Sequence, residues 1–463
     1  MKKVSLIAAA VTTALMAGSV YAEEVALDVT SGDEAMEVEV KNPTEVIADG
    51  WEIHGYMSSN VRVVDGKTVD TEFGKPDYKT AGTHGKSTNQ VEFVIKKHSE
   101  YQNGVWADYV LRTEYGNGNS YAYTSSGSQK ADTTAQFEVK EAFVELGGIL
   151  GEDTSIWGGQ RFLNRAAGIL SGEFWKQSSG IGAGIQTKLG GNTAGIAYMM
   201  ADPEAGEADQ LVCQDPTDPS YDPTKPVCEI QNRDQRSTAS SIDLYYYGVD
   251  VGIGSMDFDF KYGQKQIDGG ENEDGIGASV TLNTSYYGLD GWTQNAIAYG
   301  TGVMQNRGVN FGGWSGGDDN AESLFLTSYG VLNISERWQL GTEVTYITAL
   351  DQLWGAEGLT RYIVAARPSY KLNDNVRLEA TASYGHEEGD EGYWGRTGDA
   401  VESNIINLEV ATAFTANSDY FGRPQVKPYI SYIKADDEAS ASQIGIENGK
   451  DQFVFGVHTE IWF

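Results

Sequence analysis

Cysteine, histidine and proline are scarce in this chain of 463 residues, which has two, five and ten of them respectively. Two cysteines exclude a disulfide-dense scaffold and a thiolate-rich metal centre. The histidines, His54, His84, His98, His386 and His458, have none of the spacings of a helical zinc site, and no GxSxG elbow or phosphate-cradling glycine pattern stands elsewhere. No catalytic constellation, metal or cofactor is therefore expected. Basic residues are short as well: 33 Lys and Arg against 66 Asp and Glu give a formal charge of −33. A surface that acidic repels phosphate, which excludes nucleic acid as a partner. It also predicts a preference for cations over small anions in anything the chain conducts. Finally, no segment beyond the amino terminus approaches the ~20 apolar residues of a spanning helix, so any passage through a membrane must be made by strands.

The one compact apolar run lies at the start. Lys2 and Lys3 precede the apolar residues 4–16, and Val20, Tyr21 and Ala22 form a small-residue cleavage site, so 1–22 reads as a secretory signal peptide. Removing it takes away two lysines and no acid, which moves the formal charge from −33 to −35. Residues 23–50 are acidic, poor in aromatics and without alternation, and read as a flexible periplasmic tail. No linker divides 51–463, which reads as one domain.

That body is rich in what strands and turns use: 56 Gly, 26 Tyr, 15 Phe and 10 Trp. Its recurrent signal is alternation with a period of two. Val376, Leu378, Ala380, Ala382 and Tyr384 share one face while Arg377, Glu379, Thr381 and Ser383 share the other. Trp338, Val344 and Tyr346 oppose Gln339, Glu343 and Thr345 in the same way, and Met256, Phe258 and Phe260 oppose Asp257, Asp259 and Lys261. A sandwich gives the same alternation. The connections separate the two architectures. Short turn-like links at 189–192, 333–336, 372–375 and 416–419 alternate with long polar stretches at 63–85, 116–134, 201–238, 302–320, 386–400 and 435–450. Tight turns at one end and elaborated loops at the other describe an all-β transmembrane antiparallel β-barrel of about 18 strands, wide enough to leave an aqueous channel. The final alternating strand, ending on Phe463, puts aromatic rings at an interface belt.

The segment 155–184 is too irregular for a strand and too rich in glycine for a long helix. It gathers Arg161, Arg165, Glu173, Phe174, Trp175 and Lys176. In a barrel, such a segment folds into the lumen and sets what passes. Cys213 and Cys228 bracket a stretch full of Asp-Pro turns, and in an exported protein they read as a disulfide. Closing a loop of about 15 residues stabilises by roughly 3 kcal/mol. The acids Glu387, Glu388, Asp390 and Glu391 read as a solvated loop face, with divalent cations shared with lipopolysaccharide as the alternative.

Ile53-His54-Gly55-Tyr56, Lys140-Glu141-Ala142, Ile156-Trp157-Gly158-Gly159-Gln160-Arg161-Phe162, Arg367-Pro368-Ser369-Tyr370-Lys371 and Glu460-Ile461-Trp462-Phe463 occur in an order that resembles the maltoporins, sugar-specific trimeric porins of Gram-negative outer membranes. The resemblance covers 51–463. It implies an outer-membrane location, a homotrimer, an inward-folded third extracellular loop, and an aromatic slide flanked by charged side chains for oligosaccharides. On this chain it implies substrate-binding roles for Tyr56, Phe174 and Trp462 as rings and for Arg165, Lys140 and Glu92 as hydroxyl partners. Glu173, Trp175, Tyr362 and Tyr121 are further candidates beside them. Gln90, Val280 and Arg361 stand where slide aromatics are expected, and Ala167 and Gly172 where constriction carboxylates are expected. The expected function is passive, carbohydrate-selective diffusion of maltose and maltodextrin-type sugars. The alternative is a general diffusion porin, or a receptor or adhesin barrel without sugar selectivity.

Overall fold

The computed structural model describes residues 46–74, 79–115, 137–204, 210–213, 228–231, 237–267, 272–316, 320–390 and 401–463. The signal peptide, residues 23–45 of the expected tail, Tyr121 and Glu391 lie outside them.

Eighteen antiparallel strands among the described residues form a closed barrel. The first six are β1 (Val46–Val64), β2 (Asn89–Tyr101), β3 (Trp106–Tyr115), β4 (Phe137–Gly147), β5 (Ser155–Ala167) and β6 (Phe174–Leu189). The next six are β7 (Asn192–Glu204), β8 (Ser237–Asp250), β9 (Gly254–Ile267), β10 (Glu273–Tyr286), β11 (Leu289–Thr301) and β12 (Glu322–Asn333). The last six are β13 (Trp338–Ala349), β14 (Thr360–Asn373), β15 (Val376–Gly389), β16 (Val401–Thr415), β17 (Gln425–Ala435) and β18 (Asp451–Trp462). Each pairs with its neighbours in sequence. The ring closes where β1 takes β2 on one edge, with Tyr56 opposite Glu92, and β18 on the other, with Tyr56 opposite Trp462. Beyond β18 the Phe463 N–H donates to the Gly55 carbonyl at 3.1 Å, and the Phe463 carbonyl accepts from the Gly55 N–H at 3.0 Å. No strand edge is left open at the seam, as a wall without surrounding water requires.

The faces divide as the alternation predicts. In β15, Arg377, Glu379, Thr381 and Ser383 are buried toward the interior, whereas Leu378 and Tyr384 are exposed on the outside. Glu343 and Thr345 of β13 and Asp259 and Lys261 of β9 point in, while Val344, Phe258 and Phe260 point out. Greasy outside and charged inside inverts a soluble core and suits a wall in lipid. Tight links sit at one end. The Gly190-Gly191 pair between β6 and β7 has φ of +61° and +87°, the left-handed pair that a two-residue hairpin turn demands.

Three expectations change here. β1 begins at Val46, so residues 46–50, expected in the tail, are strand and pair with β2 from Tyr101 to His98. The link expected to be a tight turn at 416–419 extends through 424. It tucks Tyr420 inside the barrel, 5% exposed, among Leu170, Val331 and Ile363. Glu387 is not a solvated loop acid. β15 carries it inward to 1% exposure, where it holds Lys79 at 2.7 Å and Arg361 at 2.7 Å. Two strands of the long 201–238 connection, Gln210–Cys213 and Cys228–Gln231, form a ribbon whose register sets Cys213 opposite Cys228.

The interior is partly filled. Trp175, Val309, Phe325, Tyr329, Ile347, Leu353 and Leu359 form one apolar cluster inside the wall of β11 to β14. Phe73, Ile405, Tyr429, Ile433, Ile444 and Val454 form another inside β16 to β18. The second includes residues from the connections at 65–88 and 436–450, the latter containing a short helix, Glu438–Gln443, capped by Asp437.

Candidate functional site

The third connection at the long-loop end, between β5 and β6, makes the constriction. β5 pairs with β4 only as far as Ala142 opposite Gln160, yet it pairs with β6 on to Ala167 opposite Phe174. Past Gln160 the β5–β6 hairpin therefore leaves the wall and enters the lumen. A bulge shapes its tip: Leu163 faces Ser178 and Ala166 faces Lys176, so Asn164 and Arg165 together oppose Gln177. Asn164 has φ of +53°, the left-handed conformation asparagine tolerates best after glycine, and the bulge re-aims Arg165.

The far wall holds the hairpin. The fully buried Glu343 carboxylate accepts the Leu170 N–H at 2.6 Å, the Ser171 N–H at 3.2 Å and the Ser171 hydroxyl. The approach is close enough that a Cβ on Gly168 would lie 2.2 Å from Glu343 Oε1, so a larger residue there would displace the carboxylate. Lys176 reaches Asp259 at 2.6 Å. Lys261 bridges Asp243, at 2.7 Å, and Ser178. Trp175 is 1% exposed, stacks on Phe325 at 5.8 Å and donates to the Tyr329 hydroxyl at 3.2 Å. The connection between β11 and β12 stitches the hairpin's back, with Asn310-Phe311 running parallel to Gln177-Ser178.

The first connection, residues 65–88, folds inward as well. Thr83 donates its N–H to Glu409 at 2.7 Å and its hydroxyl to the same carboxylate at 2.6 Å. Lys79 pairs with Glu387, the Arg62 Nε donates to the His84 carbonyl at 2.8 Å, and Asn407 donates to the Ala81 carbonyl at 2.7 Å. Ala81 then meets Leu170 of the third hairpin and Tyr420 in one small apolar cluster. The two infolded segments thereby occupy the side of the lumen under β8 to β17.

What stays open lies against β1, β2 and β3: a cavity of about 440 Å³ between the two infolded segments. Tyr56, Glu92, Arg112 and Glu460 line it from the wall, Phe73 and Lys86 from the first connection, and Arg165, Ala167 and Phe174 from the third hairpin. Arg112 donates from Nε to Glu92 at 2.8 Å and from Nη1 to Glu141 at 3.2 Å. Tyr56 donates to Glu460 at 3.2 Å, and Arg423 holds the other oxygen of Glu460 at 2.6 Å. Arg165 lies over Phe174 at 3.8 Å and Phe162 at 4.8 Å, and among the described residues no hydrogen bond or ion pair engages it.

Of the residues singled out from sequence, the structure brings Tyr56, Glu92, Arg165 and Phe174 to one cavity. Trp462 sits beside it, across the register from Tyr56, 42% exposed and stacked under Arg423 at 4.3 Å. Lys140 is the extra residue of a bulge in β4 and turns its ammonium to Glu138 and, at 3.6 Å, to Glu114, away from the cavity lining. Glu173 is 4% exposed and bound to Arg307 at 2.8 Å behind the hairpin. Trp175 is an anchor in the apolar cluster, and Arg361 is a partner of Glu387. Sequence reasoning passed over Arg112, whose place with Asp108 and Glu114 on the charged face of β3 was the available signal. It also passed over Phe73 and Lys86, for which the long polar connection gave none.

A sequence model of the family described as LamB porin matches residues 51–463. A maltoporin of Vibrio cholerae is 23% identical over 490 aligned residues, covering 100% of both chains. Maltoporin 1 of Klebsiella pneumoniae is 23% identical over 432, covering 89% of this chain and 93% of the relative. Among solved structures, OccAB4 of Acinetobacter baumannii superposes with a TM-score of 0.45 at 10% identity, covering 91% of this chain and 100% of that one. An anion-selective porin of Comamonas acidovorans gives 0.43 at 10%, covering 89% and 100%. The family match runs from the first wall strand to the last residue of a closed eighteen-stranded barrel with a charged interior, and this chain, a porin of the Gram-negative outer membrane, belongs to the LamB porin family.

Proposed function

We propose that the protein is a passive, carbohydrate-selective channel that admits maltose and maltodextrin-type sugars to the periplasm, without catalysis. The convergence of Tyr56, Phe174, Arg165 and the Arg112–Glu92 pair on one cavity carries this reading. A pyranose offers apolar C–H faces that stack on rings and an equator of hydroxyls that need partners. Tyr56 and Phe174 supply the rings. Arg165 donates to hydroxyls, and Glu92 and Glu460 accept. Trp462 flanks the cavity and extends the contacts toward its end, whereas Lys140, paired with Glu138 and Glu114, takes no direct part. Transport needs each contact to be weak and repeated. Glu173 acts through position, holding the hairpin by Arg307. The relatives named as maltoporins support the sugar class.

Block of single-channel current by maltodextrins in planar bilayers tests the proposal, and absence of block by any oligosaccharide overturns it. Phe174→Ala and Tyr56→Ala should each weaken that block roughly two- to tenfold, the worth of one aromatic contact at about 0.5–1.5 kcal/mol. Wild-type affinity in both variants would remove the rings from the binding role. A general diffusion porin is the second reading, favoured by Gln90, which lines the cavity where the resemblance expects a ring. It predicts conductance without saturation by sugar.

The assembly is proposed as a homotrimer in contact with lipid and lipopolysaccharide. The opposed register of Cys213 and Cys228 supports a disulfide across the ribbon. An intact-mass change on reduction and alkylation, with conductance unchanged, is the expected result.

A further inference from the structure

The constriction's charges are not matched one for one. Of the cations that line the cavity, Arg112 is held between Glu92 and Glu141. The carboxylate of Glu460 is in turn taken up by Arg423 at 2.6 Å and by the Tyr56 hydroxyl. Nearby, Glu114 faces Lys140. Arg165 differs. It is exposed within the cavity, packed against the rings of Phe162 and Phe174, with no carboxylate, hydroxyl or carbonyl bonded to it among the described residues. Two further positions on the same lining are Ala167 and Gly172, where no carboxylate faces the guanidinium.

A guanidinium stacked on rings is weakly hydrated and presents a planar fork of donors that fits a carboxylate bidentately. Of the rings against it, Phe174 lines the cavity and is, on the reading above, a surface for a pyranose. We propose that this site selects saccharides that carry a carboxylate, with the acid on the Arg165 fork and the sugar's apolar face on Phe174. The inference rests on the saccharide reading above and names the subclass. The chain's formal charge of −33 does not oppose it. At physiological salt the Debye length is about 8 Å, so an acid at the constriction responds to the side chains around it rather than to distant loops. Bulk preference for small cations and local retention of an acidic sugar are therefore compatible.

The probes are maltose and maltobionate, the latter with its reducing-end ring opened to an aldonate carboxylate, so any gain for the acid is made despite one pyranose fewer. Titrated into planar bilayers containing the wild-type channel, maltobionate should block with roughly fivefold higher affinity than maltose, the scale of one partly screened ion pair. Arg165→Gln should bring that ratio to one or below. Ala167→Asp, which places an internal carboxylate near the guanidinium, should do the same. The proposal is overturned if the wild-type ratio is one or less, or if it survives Arg165→Gln. Block by maltose with no preference for the acid would leave the sugar-channel reading standing and remove this one. Block by neither sugar would remove both.

Discussion

Trp175→Ala should widen the channel and loosen the protein at once. The indole is 1% exposed inside the barrel, stacked on Phe325 with planes 20° apart and bonded to Tyr329. It fastens the β5–β6 hairpin into the cluster made with Val309, Ile347, Leu353 and Leu359. Truncating a buried tryptophan costs about 3–5 kcal/mol in transfer and cavity terms. Here the loss falls on the hairpin rather than on the wall, because the wall's backbone hydrogen bonds do not pass through Trp175. The expected result is a higher single-channel conductance, weaker maltodextrin block and new protease sensitivity near 165–175 in a barrel that still resists heat on a gel. Trp175→Phe keeps the stack, loses the bond to Tyr329, and should fall between. Unchanged conductance and block in the alanine variant would show that the hairpin is held elsewhere.

The two infolded segments explain why the passage lies where it does. A barrel of this strand number leaves a bore too wide to discriminate among small solutes. The third hairpin, docked on β8, β9, β12 and β13, and the first connection, docked on β15 to β17, fill the far side. The opening is thereby pressed against β1, β2 and β3. Those three strands supply Tyr56, Glu92 and Arg112, and the infolded segments supply Phe73, Lys86, Arg165 and Phe174. Wall residues sit on hydrogen-bonded strands, so half of the constriction is rigid. The other half is as rigid as its anchors.

The wall was legible in the sequence because its cause is local. A strand between lipid and water must alternate, so Arg377 to Ser383 against Leu378 to Tyr384 announced both the strand and the direction of each face. The third hairpin was marked by its glycines and its mixed charged and aromatic residues, but the segment read as too irregular for a strand is strand on both sides of residues 168–173, Ser155–Ala167 and Phe174–Leu189. What stayed illegible depends on partners far away in the chain. The 63–85 stretch reads as a polar outer loop, and nothing near it reveals that Lys79 meets Glu387 or that Thr83 meets Glu409 more than three hundred residues on. Glu387 was read as loop for the same reason: an acid beside other acids looks solvated until its cation arrives from elsewhere. Glu173 sat next to Phe174 in sequence, but on an extended segment neighbours point to opposite sides. Phe174 faces the cavity, and Glu173 faces Arg307.

Glu343→Ala should produce the second large effect, and its salt dependence separates two mechanisms. The carboxylate is wholly buried, has no basic partner within ion-pair distance among the described residues, and is bonded to two backbone N–H groups and a hydroxyl of the hairpin tip. Its role is that of a fixed acceptor, and removing it strands donors that cost about 1–3 kcal/mol each when left unpaired. The tip cannot keep that position and should swing toward the open side or out of the lumen, carrying Arg165 and Phe174 with it. Conductance should rise, maltodextrin block should weaken at least as much as in Phe174→Ala, and open-channel noise should increase. Deleting an anion also changes the lumen's field, which alone would alter current at low salt. In 1 M salt the Debye length is about 3 Å and that contribution is nearly gone. A conductance increase that persists in 1 M salt therefore reports a displaced hairpin. An increase confined to dilute salt reports only the lost charge, and would mean that Lys176, Lys261 and Trp175 hold the hairpin without Glu343.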